Sequence, residues 1–449
     1  MFNQAMFNQN EFQQRRRQLL KKMAAGVAII PTASELIRNR DSHYPYRFDS
    51  YFYYLTGFKE PESVVVLVAG EQGKSILFCR DKDMEREIWD GFRYGADAAR
   101  ETFGFDEAYS INELDAVLLK LLANQPKLYF SLGENAAWDA RVTGWMNTLR
   151  AQARSGVSVP DDISDVHKLL DEMRLYKSPF EQALMRQSAN IAAAAHNRAI
   201  QFAKPNMMEY EIEAEFLHEF YRKGAQAPAY TSIVAGGANA CTLHYNANNC
   251  VLNDGDLLLI DAGCELDGYA SDITRTFPVN GKFSAAQKEV YELVLASQAA
   301  AIAQVNTANH WNAPHDAALD VLIQGFIDLK LCKGSKDAVL ESGDYRQFYM
   351  HRTGHWLGLD VHDAGEYKYT KSKDTDSKDN QANWRMLEQG MVLTVEPGCY
   401  IRPADNVPKA FWNIGIRIED DVLVTHNGCE VLTVSAVKSV SDIEDLMKH

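Results

Sequence analysis

Four acidic residues occupy unusual places at or near the ends of apolar segments in the second half of the chain. They are Asp261, Asp272, Glu396 and Glu419. A buried charge is costly unless it is paired or bound to a metal. Taken alone, each acid is typical of a solvated strand cap. Their recurrence, with a stretch rich in histidine and glycine between them, favours a shared site that binds cations or performs acid–base chemistry.

Asp261 and Asp272 are predicted to lie on one face of a β-hairpin. The apolar run Leu257 to Ile260 predicts a strand, and Asp267-Gly268 is a strong turn signal. A two-residue turn at that dipeptide places position 261 opposite 274, whereas a turn one residue earlier places 261 opposite 272. Because side chains alternate along a strand, both registers put the two carboxylates on the same face.

Carboxylates combined with one or two imidazoles suit Mn²⁺, Co²⁺ or Zn²⁺. Four carboxylates carry four negative charges, which two divalent ions cancel, so the residue set predicts a centre of two metal ions with a bridging water or hydroxide. Such ions lower the pKa of bound water from about 15.7 toward ~7, which gives a nucleophile at neutral pH. The chemistry indicated is hydrolysis.

Other catalytic patterns are absent or weak. His351 and His355 are four residues apart, but no glutamate follows His351, so they do not form the H-E-x-x-H zinc motif. His244 is isolated, and a lone histidine is more typical of a structural role. The sequence holds no G-x-S-x-G motif, and Cys399 is expected to be a buried thiol rather than a nucleophile.

The remaining acids require two further strands. Met391 to Glu396 is an apolar run stopped by Pro397, and Ile414 to Asp420 alternates so that Arg417 and Glu419 share one face. Two capping boxes predict helices, one opening at Ser178 with Pro179 and Glu181 and continuing to Phe202, the other opening at Ser284 with Gln287. Residues 368–383 are rich in Lys, Asp, Ser and Thr and are predicted to form an exposed, mobile loop.

The first part of the chain is predicted to be a separate α/β domain, residues 1–173, with the boundary near Met173 and the second domain covering 174–449. The triple arginine Arg15-Arg16-Arg17, in a basic helical segment, is predicted to form a solvated face. Predicted strands are separated by helical segments. These strands are Val27 to Ile30, Val64 to Ala69, Ser75 to Cys79 and Leu128 to Leu132.

Composition narrows the function classes. The 449 residues allow two or three domains, and a net charge of −15 disfavours nucleic acid or an anionic membrane surface as the main partner. The seven cysteines are dispersed without a C-x-x-C pair, which favours reduced thiols in the cytoplasm over a disulfide framework. The longest apolar runs are strand-sized, and the N-terminus has no apolar core of signal-peptide length.

The acids and their flanks resemble the five metal ligands of the pita-bread metallopeptidases, in order Asp261, Asp272, His355, Glu396 and Glu419. The resemblance extends over nearly the whole chain to bacterial aminopeptidase P, including the segments 41–47, 54–58 and the linker 172–179. It rests on four motifs that are highly specific together. They are Leu-Ile-Asp-Ala-Gly, Tyr-Ala-Ser-Asp-Ile-Thr-Arg-Thr-Phe-Pro, Val-Glu-Pro-Gly and Ile-Arg-Ile-Glu-Asp.

This resemblance implies an N-terminal α/β domain of the creatinase/prolidase type followed by a pita-bread α+β catalytic domain. It implies metal-dependent release of the N-terminal residue from peptides with proline second, usually with Mn²⁺. Asp272 and Glu419 would bridge two ions, Asp261 would bind one of them, and His355 and Glu396 would bind the other.

The resemblance also assigns roles around the metals. Glu396 would carry the proton of the attacking water, and His244 and His362 would stabilise the substrate carbonyl and the tetrahedral intermediate. His351 would line the proline pocket, and Arg417 would hold the ligand carboxylates and the substrate backbone. Members of this family form dimers or tetramers in which the N-terminal domain walls a neighbour's site, and Trp89 matches the tryptophan that reaches across.

Two features depart from the family pattern. Arg352 follows His351 where the family commonly has glycine, and the 368–383 loop is longer than expected.

Two other functions stay open. A prolidase would cleave Xaa-Pro dipeptides with the same centre and would need a cation for the substrate carboxylate, for which Arg352 or Arg385 is available. A non-catalytic peptide-binding module is expected to have lost metal ligands, whereas all five are present.

Overall fold

The structure, a computed structural model, describes residues 8–369 and 384–448. The chain divides into two compact units, Met1–Met173 and Arg174–His449. Most of the predicted 368–383 loop, residues 370–383, lies outside the described residues. Among the helices that are described, none combines the length and the apolar character needed to cross a membrane.

The N-terminal unit is an α/β domain, as predicted. Its described helices and strands occur in this order along the chain: α1 Gln9–Met23, β1 Gly26–Pro31, β2 Ile37–Asn39, β3 Ser42–His43, α2 Ser50–Thr56, β4 Val64–Ala69, β5 Lys74–Cys79, α3 Met84–Asp90, α4 Gly95–Phe103, β6 Glu107–Ser110, α5 Leu114–Leu122, β7 Lys127–Tyr129, α6 Ala136–Arg150, β8 Asp162–Ser164 and α7 His167–Leu175.

One mixed sheet forms the centre of this unit, with strand order β6-β5-β4-β1-β7-β8. Strands β1, β4 and β5 pair antiparallel, whereas β6, β7 and β8 each pair parallel to their neighbour. Near-continuous apolar runs such as Val64 to Leu67 are fully buried, because both faces of the sheet are covered. The four strands predicted from the sequence are all present, with ends displaced by a few residues.

The prediction that Arg15, Arg16 and Arg17 form a solvated face is wrong for two of the three. Arg15 and Arg16 are only 3% and 1% exposed, and Arg17 alone is exposed. Arg16 donates hydrogen bonds to the carbonyl oxygens of Leu55 at 2.8 Å and Phe103 at 2.9 Å. Burial lowers its pKa to about 10. The arginines therefore hold α1 to backbone carbonyls of α2 and α4, which a charge run in the sequence does not reveal.

The C-terminal unit combines small sheets with long helices. Its described elements follow this order: α8 Pro179–Phe202, α9 Glu209–Arg222, β9 Ala227–Pro228, β10 Ile233–Gly236, β11 Leu257–Asp261, β12 Cys264–Leu266, β13 Tyr269–Ala270, β14 Thr274–Pro278, α10 Ala285–Ala303, α11 Ala313–Asp328, α12 Lys336–Ser342, β15 Val392–Val395, β16 Gly398–Ile401, β17 Ile414–Arg417, β18 Asp420–Thr425, β19 Gly428–Val431 and α13 Val440–Leu446.

Both predicted capping boxes are present at the starts of α8 and α10. The Ser178 hydroxyl accepts a hydrogen bond from the backbone N–H of Glu181, whose carboxylate accepts one from the N–H of Ser178. Ser284 and Gln287 repeat the arrangement. Each box satisfies donors that a helix start leaves without partners, which fixes where the helix begins.

Several short sheets meet in this unit. Strand β11 lies between β10 and β14, β18 lies between β15 and β19, and β16 pairs with β17. The predicted strand Ile414 to Asp420 is in fact two strands in different sheets. Strand β17 ends at Arg417 and β18 begins at Asp420, so Glu419 lies at the break. Strand alternation alone does not predict this change of sheet.

We expect replacement of Arg16 by methionine to destabilise the N-terminal unit by about 3 kcal/mol, because buried carbonyl oxygens lose their donors. Hydrogen exchange of the β4 amides measures the opening of this unit separately from the rest of the chain. Arg17→Met is the matched control, since exposed substitutions change stability by about 0.5 kcal/mol or less. Equal effects of the two variants would contradict the role given to Arg16.

Candidate metal centre

The hairpin that carries the first two acids has the register of the two-residue turn. Asp261 pairs with Thr274, and Leu266 pairs with Tyr269 across the turn. Asp267 and Gly268 have φ angles of +48° and +83°, the left-handed conformations that a tight hairpin turn of this kind requires. Of the two registers open from the sequence, the structure thus has the one that places 261 opposite 274.

Asp272 leaves the strand ladder between β13 and β14. Its backbone N–H donates to the carboxylate of Asp421 at 3.1 Å instead of to the paired strand. Gly263 makes this possible, because a Cβ at that position would lie only 1.6 Å from the carbonyl oxygen of Ser271. The two backbones therefore pass close to each other just before Asp272.

A tyrosine that was not anticipated from the sequence joins these two acids. The hydroxyl of Tyr230 donates to Asp261 Oδ1 at 2.6 Å and lies against Asp272 Oδ1. Burial, followed by the charges of Asp261 and Asp272, raises the pKa of Tyr230 well above its usual value. The phenol therefore stays protonated and holds the two carboxylates near each other, in agreement with the prediction that they share a face.

The later acids and one histidine converge on the same place. Asp272, His355 and Glu419 each offer a ligand atom, and these atoms all lie within 4.8 Å of one another. His355 Nε2 lies 3.4 Å from Asp272 Oδ2 and 3.8 Å from Glu396 Oε1. Its Nδ1 lies 2.9 Å from the carbonyl oxygen of Trp356, so Nδ1 carries the proton and Nε2 faces the acids.

Hydrogen bonds to two threonines fix the two glutamates. Thr274 Oγ1 donates to Glu419 Oε2 at 2.7 Å, and the Glu419 N–H donates to the Thr274 carbonyl oxygen at 3.0 Å. The Glu396 N–H donates to the carbonyl oxygen of Thr353 at 2.8 Å. The hairpin therefore holds the break between β17 and β18, and the histidine-bearing loop holds the end of β15.

This buried cluster has too little positive charge for its acids. Burial is the largest cause that raises the pKa of Asp272, of Glu396 to about 7, and of Glu419 well above its usual value, and the neighbouring carboxylates raise it further. Burial lowers the pKa of His355, but its contact with Asp272 and the charge of Glu396 outweigh this and raise the pKa to about 9. Without a metal, the cluster therefore retains protons at neutral pH.

The residues present fit a divalent cation. Carboxylates and an imidazole nitrogen with its second nitrogen fixed by a carbonyl are a donor set for Mn²⁺, Co²⁺ or Zn²⁺. The raised carboxyl pKa values show the same need for positive charge. Asp272, Glu419 and His355 form the tightest group. Asp261 is connected to this group by the Tyr230 hydroxyl, and Glu396 lies near His355.

The other predicted residues of this unit lie around the cluster. Arg417, which is 4% exposed, contacts Asp261 and donates to Thr274 Oγ1 at 3.1 Å and to the Tyr400 hydroxyl at 3.0 Å. His351 Nε2 lies 2.9 Å from the Tyr400 hydroxyl, and its Nδ1 lies 4.0 Å from Glu396 Oε2.

Two imidazoles on the edge of the cluster, those of His351 and His362, are kept neutral. Burial lowers the pKa of His351 to about 4 and lowers that of His362, and the charge of His244 contributes to both shifts. The ring of His362 lies 4.4 Å from that of His355, edge to face. Trp89 belongs to the N-terminal unit, in α3, where its side chain is 83% exposed.

The loop that carries these histidines is anchored by the start of the C-terminal unit. Asp363 is buried, and its carboxylate contacts Lys177 Nζ at 2.9 Å and a guanidinium nitrogen of Arg174 at 2.5 Å. Its N–H donates to the Trp356 carbonyl oxygen at 2.9 Å. Burial raises the pKa of Asp363, but the two cations outweigh it and hold the pKa below its usual value. The carboxylate is thus charged and bound on both sides.

Sequence reasoning missed Tyr230, Thr274, Tyr400 and Thr353. Thr274 and Tyr400 lie in β14 and β16, but a break in the strand separates each from the nearby acid, Asp272 or Glu396, so alternation does not connect them. Tyr230 precedes β10 and Thr353 lies in an irregular loop. Neither position has a local pattern that distinguishes it from an ordinary polar residue.

We expect the affinity of the metal-free protein for Mn²⁺ to fall as the pH is lowered from 8 to 6. The ion must displace protons from His355 and Glu396, whose pKa values are about 9 and about 7. The loss should approach about tenfold per pH unit for each proton released. Calorimetric titration in two buffers of different ionisation enthalpy counts those protons, and an affinity independent of pH would contradict the proton-retaining cluster.

Comparisons with known proteins agree with this geometry. Residues 183–426 match metallopeptidase family M24, and residues 12–129 match the N-terminal domain of aminopeptidase P. The Xaa-Pro aminopeptidase of Escherichia coli is 44% identical over 443 residues, with 98% of each chain covered. That of Haemophilus influenzae is 46% identical over 445 residues, covering 99% of this chain and 98% of the relative.

Solved structures give the same result. An aminopeptidase PepP structure from Pseudomonas aeruginosa has a TM-score of 0.94 at 47% identity, and 98% of each chain is covered. A zinc-substituted Escherichia coli aminopeptidase P in complex with product has a TM-score of 0.93 at 44% identity with the same coverage. The predicted two-domain fold, the enzyme class and the use of divalent metal are confirmed. The chain belongs to metallopeptidase family M24 and carries an N-terminal domain of the aminopeptidase P type.

Proposed function

We propose that this metallopeptidase releases the N-terminal residue from peptides whose second residue is proline. The convergence of Asp272, His355 and Glu419, with Asp261 and Glu396 beside them, carries the proposal. The relatives that match the chain over nearly its full length are Xaa-Pro aminopeptidases, which supports the substrate class.

The proposed cofactor is a pair of divalent ions, most suitably Mn²⁺, with Co²⁺ and Zn²⁺ as alternatives. Asp272 and Glu419 are assigned as ligands of both ions, Asp261 as a ligand of one, and His355 and Glu396 as ligands of the other. When bound, such ions supply Lewis acidity and a water of lowered pKa. The Tyr230 hydroxyl and the Thr274 hydroxyl orient the carboxylates that hold them.

The chain's own residues then move the proton and bind the substrate. Glu396, whose carboxylate lies 3.8 Å from His355 Nε2, is assigned to carry the proton of the attacking water. His362 and His244 donate hydrogen bonds to the substrate carbonyl and to the negative charge that develops on it. The ring of His362 lies 4.4 Å from that of His355, which supports this role.

His351 and Arg417 are assigned to the substrate pocket. Neutral His351, edge to face with Tyr349 at 4.8 Å and hydrogen-bonded to Tyr400, offers a firm wall for a proline ring. Arg417 keeps Asp261 and the Tyr400 hydroxyl in place and is proposed to contact the substrate backbone.

The N-terminal unit, residues 1–173, is proposed to serve in oligomerisation and substrate access. Its helix α3 exposes Ile88 by 81% and Trp89 by 83%, and Phe92 just beyond it is 64% exposed. Contiguous exposed apolar side chains are typical of protein contacts. They support assembly into a homodimer or homotetramer in which Trp89 contacts a second copy.

A cytoplasmic location is also proposed, since the six described cysteines other than Cys250 are at least partly buried free thiols.

Substrate preference distinguishes this proposal from a prolidase and from an aminopeptidase without proline specificity. In a Mn²⁺-supplemented assay we expect cleavage of Xaa-Pro-Xaa, little cleavage of Xaa-Ala-Xaa, and weaker cleavage of Xaa-Pro. Product amino acid is measured by chromatography. Equal rates on the proline and alanine tripeptides would reject proline specificity, and faster cleavage of the dipeptide would favour the prolidase.

Removal of one bridging carboxylate tests the metal assignment. We expect Asp272→Asn to lower the bound metal and to reduce kcat/KM by at least about 100-fold, since even residues that only orient ligands cost 10–100-fold. Metal content after dialysis and peptide turnover are the measurements. Asp267→Asn, in the turn of the same hairpin, is the control, because asparagine accepts its positive φ. Full metal content in Asp272→Asn would show that the hairpin assignment is wrong.

A further inference from the structure

The backbone of an exposed arginine, Arg352, lies at the wall of the proposed substrate pocket. Arg352 directly follows His351, and His351 Nδ1 lies 2.7 Å from the Arg352 carbonyl oxygen. On its other nitrogen, His351 contacts the Tyr400 hydroxyl, and its ring faces Glu396. The backbone of Arg352 is therefore fixed by the same imidazole that faces the cluster, while its side chain is exposed.

The described residues hold the Arg352 guanidinium in place without occupying all of its donors. It contacts Asn312 Oδ1, and its central carbon lies 5.4 Å from the ring centroid of Trp384. Asn312 is itself held by a 2.7 Å hydrogen bond to Asp316. A guanidinium has five donors in a planar fork, and contact with one amide oxygen leaves a pair that suits a carboxylate. A prepositioned fork loses little side-chain freedom when an anion binds.

Three other cations among the described residues are less suited to bind a carboxylate. Arg385 is only 5% exposed, and one of its nitrogens donates to the Glu366 carbonyl oxygen. Arg417 is buried against Asp261 and Tyr400. Lys368 is exposed, and its Nζ lies 4.1 Å from the centroid of the Trp384 ring, so it adds to the positive potential around Arg352.

The position of the reacting bond sets the direction in which a peptide lies. The bond to be cleaved must lie at the cluster that contains Asp272, His355 and Glu419, so the amino end of the peptide stays there and the carboxyl end extends away from it. Two extended residues span at most about 7 Å, which brings the carboxylate of the residue after proline within reach of a side chain at the pocket wall.

We propose that Arg352 binds the free C-terminal carboxylate of Xaa-Pro-Xaa tripeptides, so that short unblocked peptides are the preferred substrates. This rests on the proposed aminopeptidase function and names the substrate class of that site. A longer or amidated peptide has no carboxylate at this position and loses the contact.

The test compares an Xaa-Pro-Xaa tripeptide with its C-terminal amide, using Mn²⁺-loaded full-length protein. We expect a KM about tenfold lower for the free acid, the size of a charged hydrogen-bonded contact. In Arg352→Gln the ratio of the two KM values should fall to about one, and Arg352→Lys should retain part of it because the charge remains without the fork.

Arg346→Gln is the matched control. This exposed arginine stacks on its neighbour Tyr345 at 5.7 Å, and the ratio should keep its full value in the variant. An unchanged ratio in Arg352→Gln, or an equal loss in Lys368→Gln, would overturn the proposal. A preference for the Xaa-Pro dipeptide that Arg352→Gln abolishes would overturn the tripeptide assignment. Cleavage of Xaa-Ala-Xaa without cleavage of either proline tripeptide would instead reject the proposed function itself.

Discussion

Repulsion between carboxylates is the constraint on which the C-terminal unit depends. Asp261, Asp272, Glu396 and Glu419 point into one buried region, where the low dielectric strengthens their mutual repulsion. The unit limits this cost with Arg417 and with hydroxyl donors from Tyr230 and Thr274. The remaining negative charge of the carboxylates is left for a bound cation to neutralise. Metal binding and the folded arrangement of these strands therefore stabilise each other.

A second buried ion pair keeps that arrangement rigid. Arg275, next to Thr274, pairs with Asp420, next to Glu419, and both side chains are fully buried. Arg275 also donates to the Thr274 carbonyl oxygen at 2.9 Å, so it holds the backbone on which both ligand-bearing segments depend. Lys438 Nζ lies 2.6 Å from the other oxygen of Asp420. Removal of one member of such a buried group leaves a charge without a partner, which is the costly outcome.

Local sequence patterns predicted the elements that local chemistry determines. The hairpin turn at Asp267-Gly268 and the two capping boxes depend on residues a few positions apart, and all three are present. The acids at strand ends were recognisable because they contradict the apolar pattern around them. These features predicted which face of the hairpin carries the two aspartates and which residues form the cluster. None of them specifies a distance between side chains.

Other features depend on partners far away in the chain. Arg16 is buried because carbonyls about 39 and 87 residues away need donors, and its own neighbours in sequence give no sign of this. The break after Arg417 occurs because two sheets share one segment. Tyr230 becomes important only when β10 and β11 bring it to Asp261. Such long-range contacts are set by topology, so periodicity does not reveal them.

The pairing of Asp363 with Arg174 and Lys177 has a consequence for how this chain can be rearranged. These two basic residues precede the capping box of α8, so they read as linker in the sequence, yet they hold the loop that bears His355 and His362. An exchange of N-terminal domains can therefore preserve the metal site only if positions 174 and 177 of the hybrid are again basic. A junction before Arg174 keeps this chain's own cations, whereas a junction at Ser178 makes the histidine loop depend on those of the other chain.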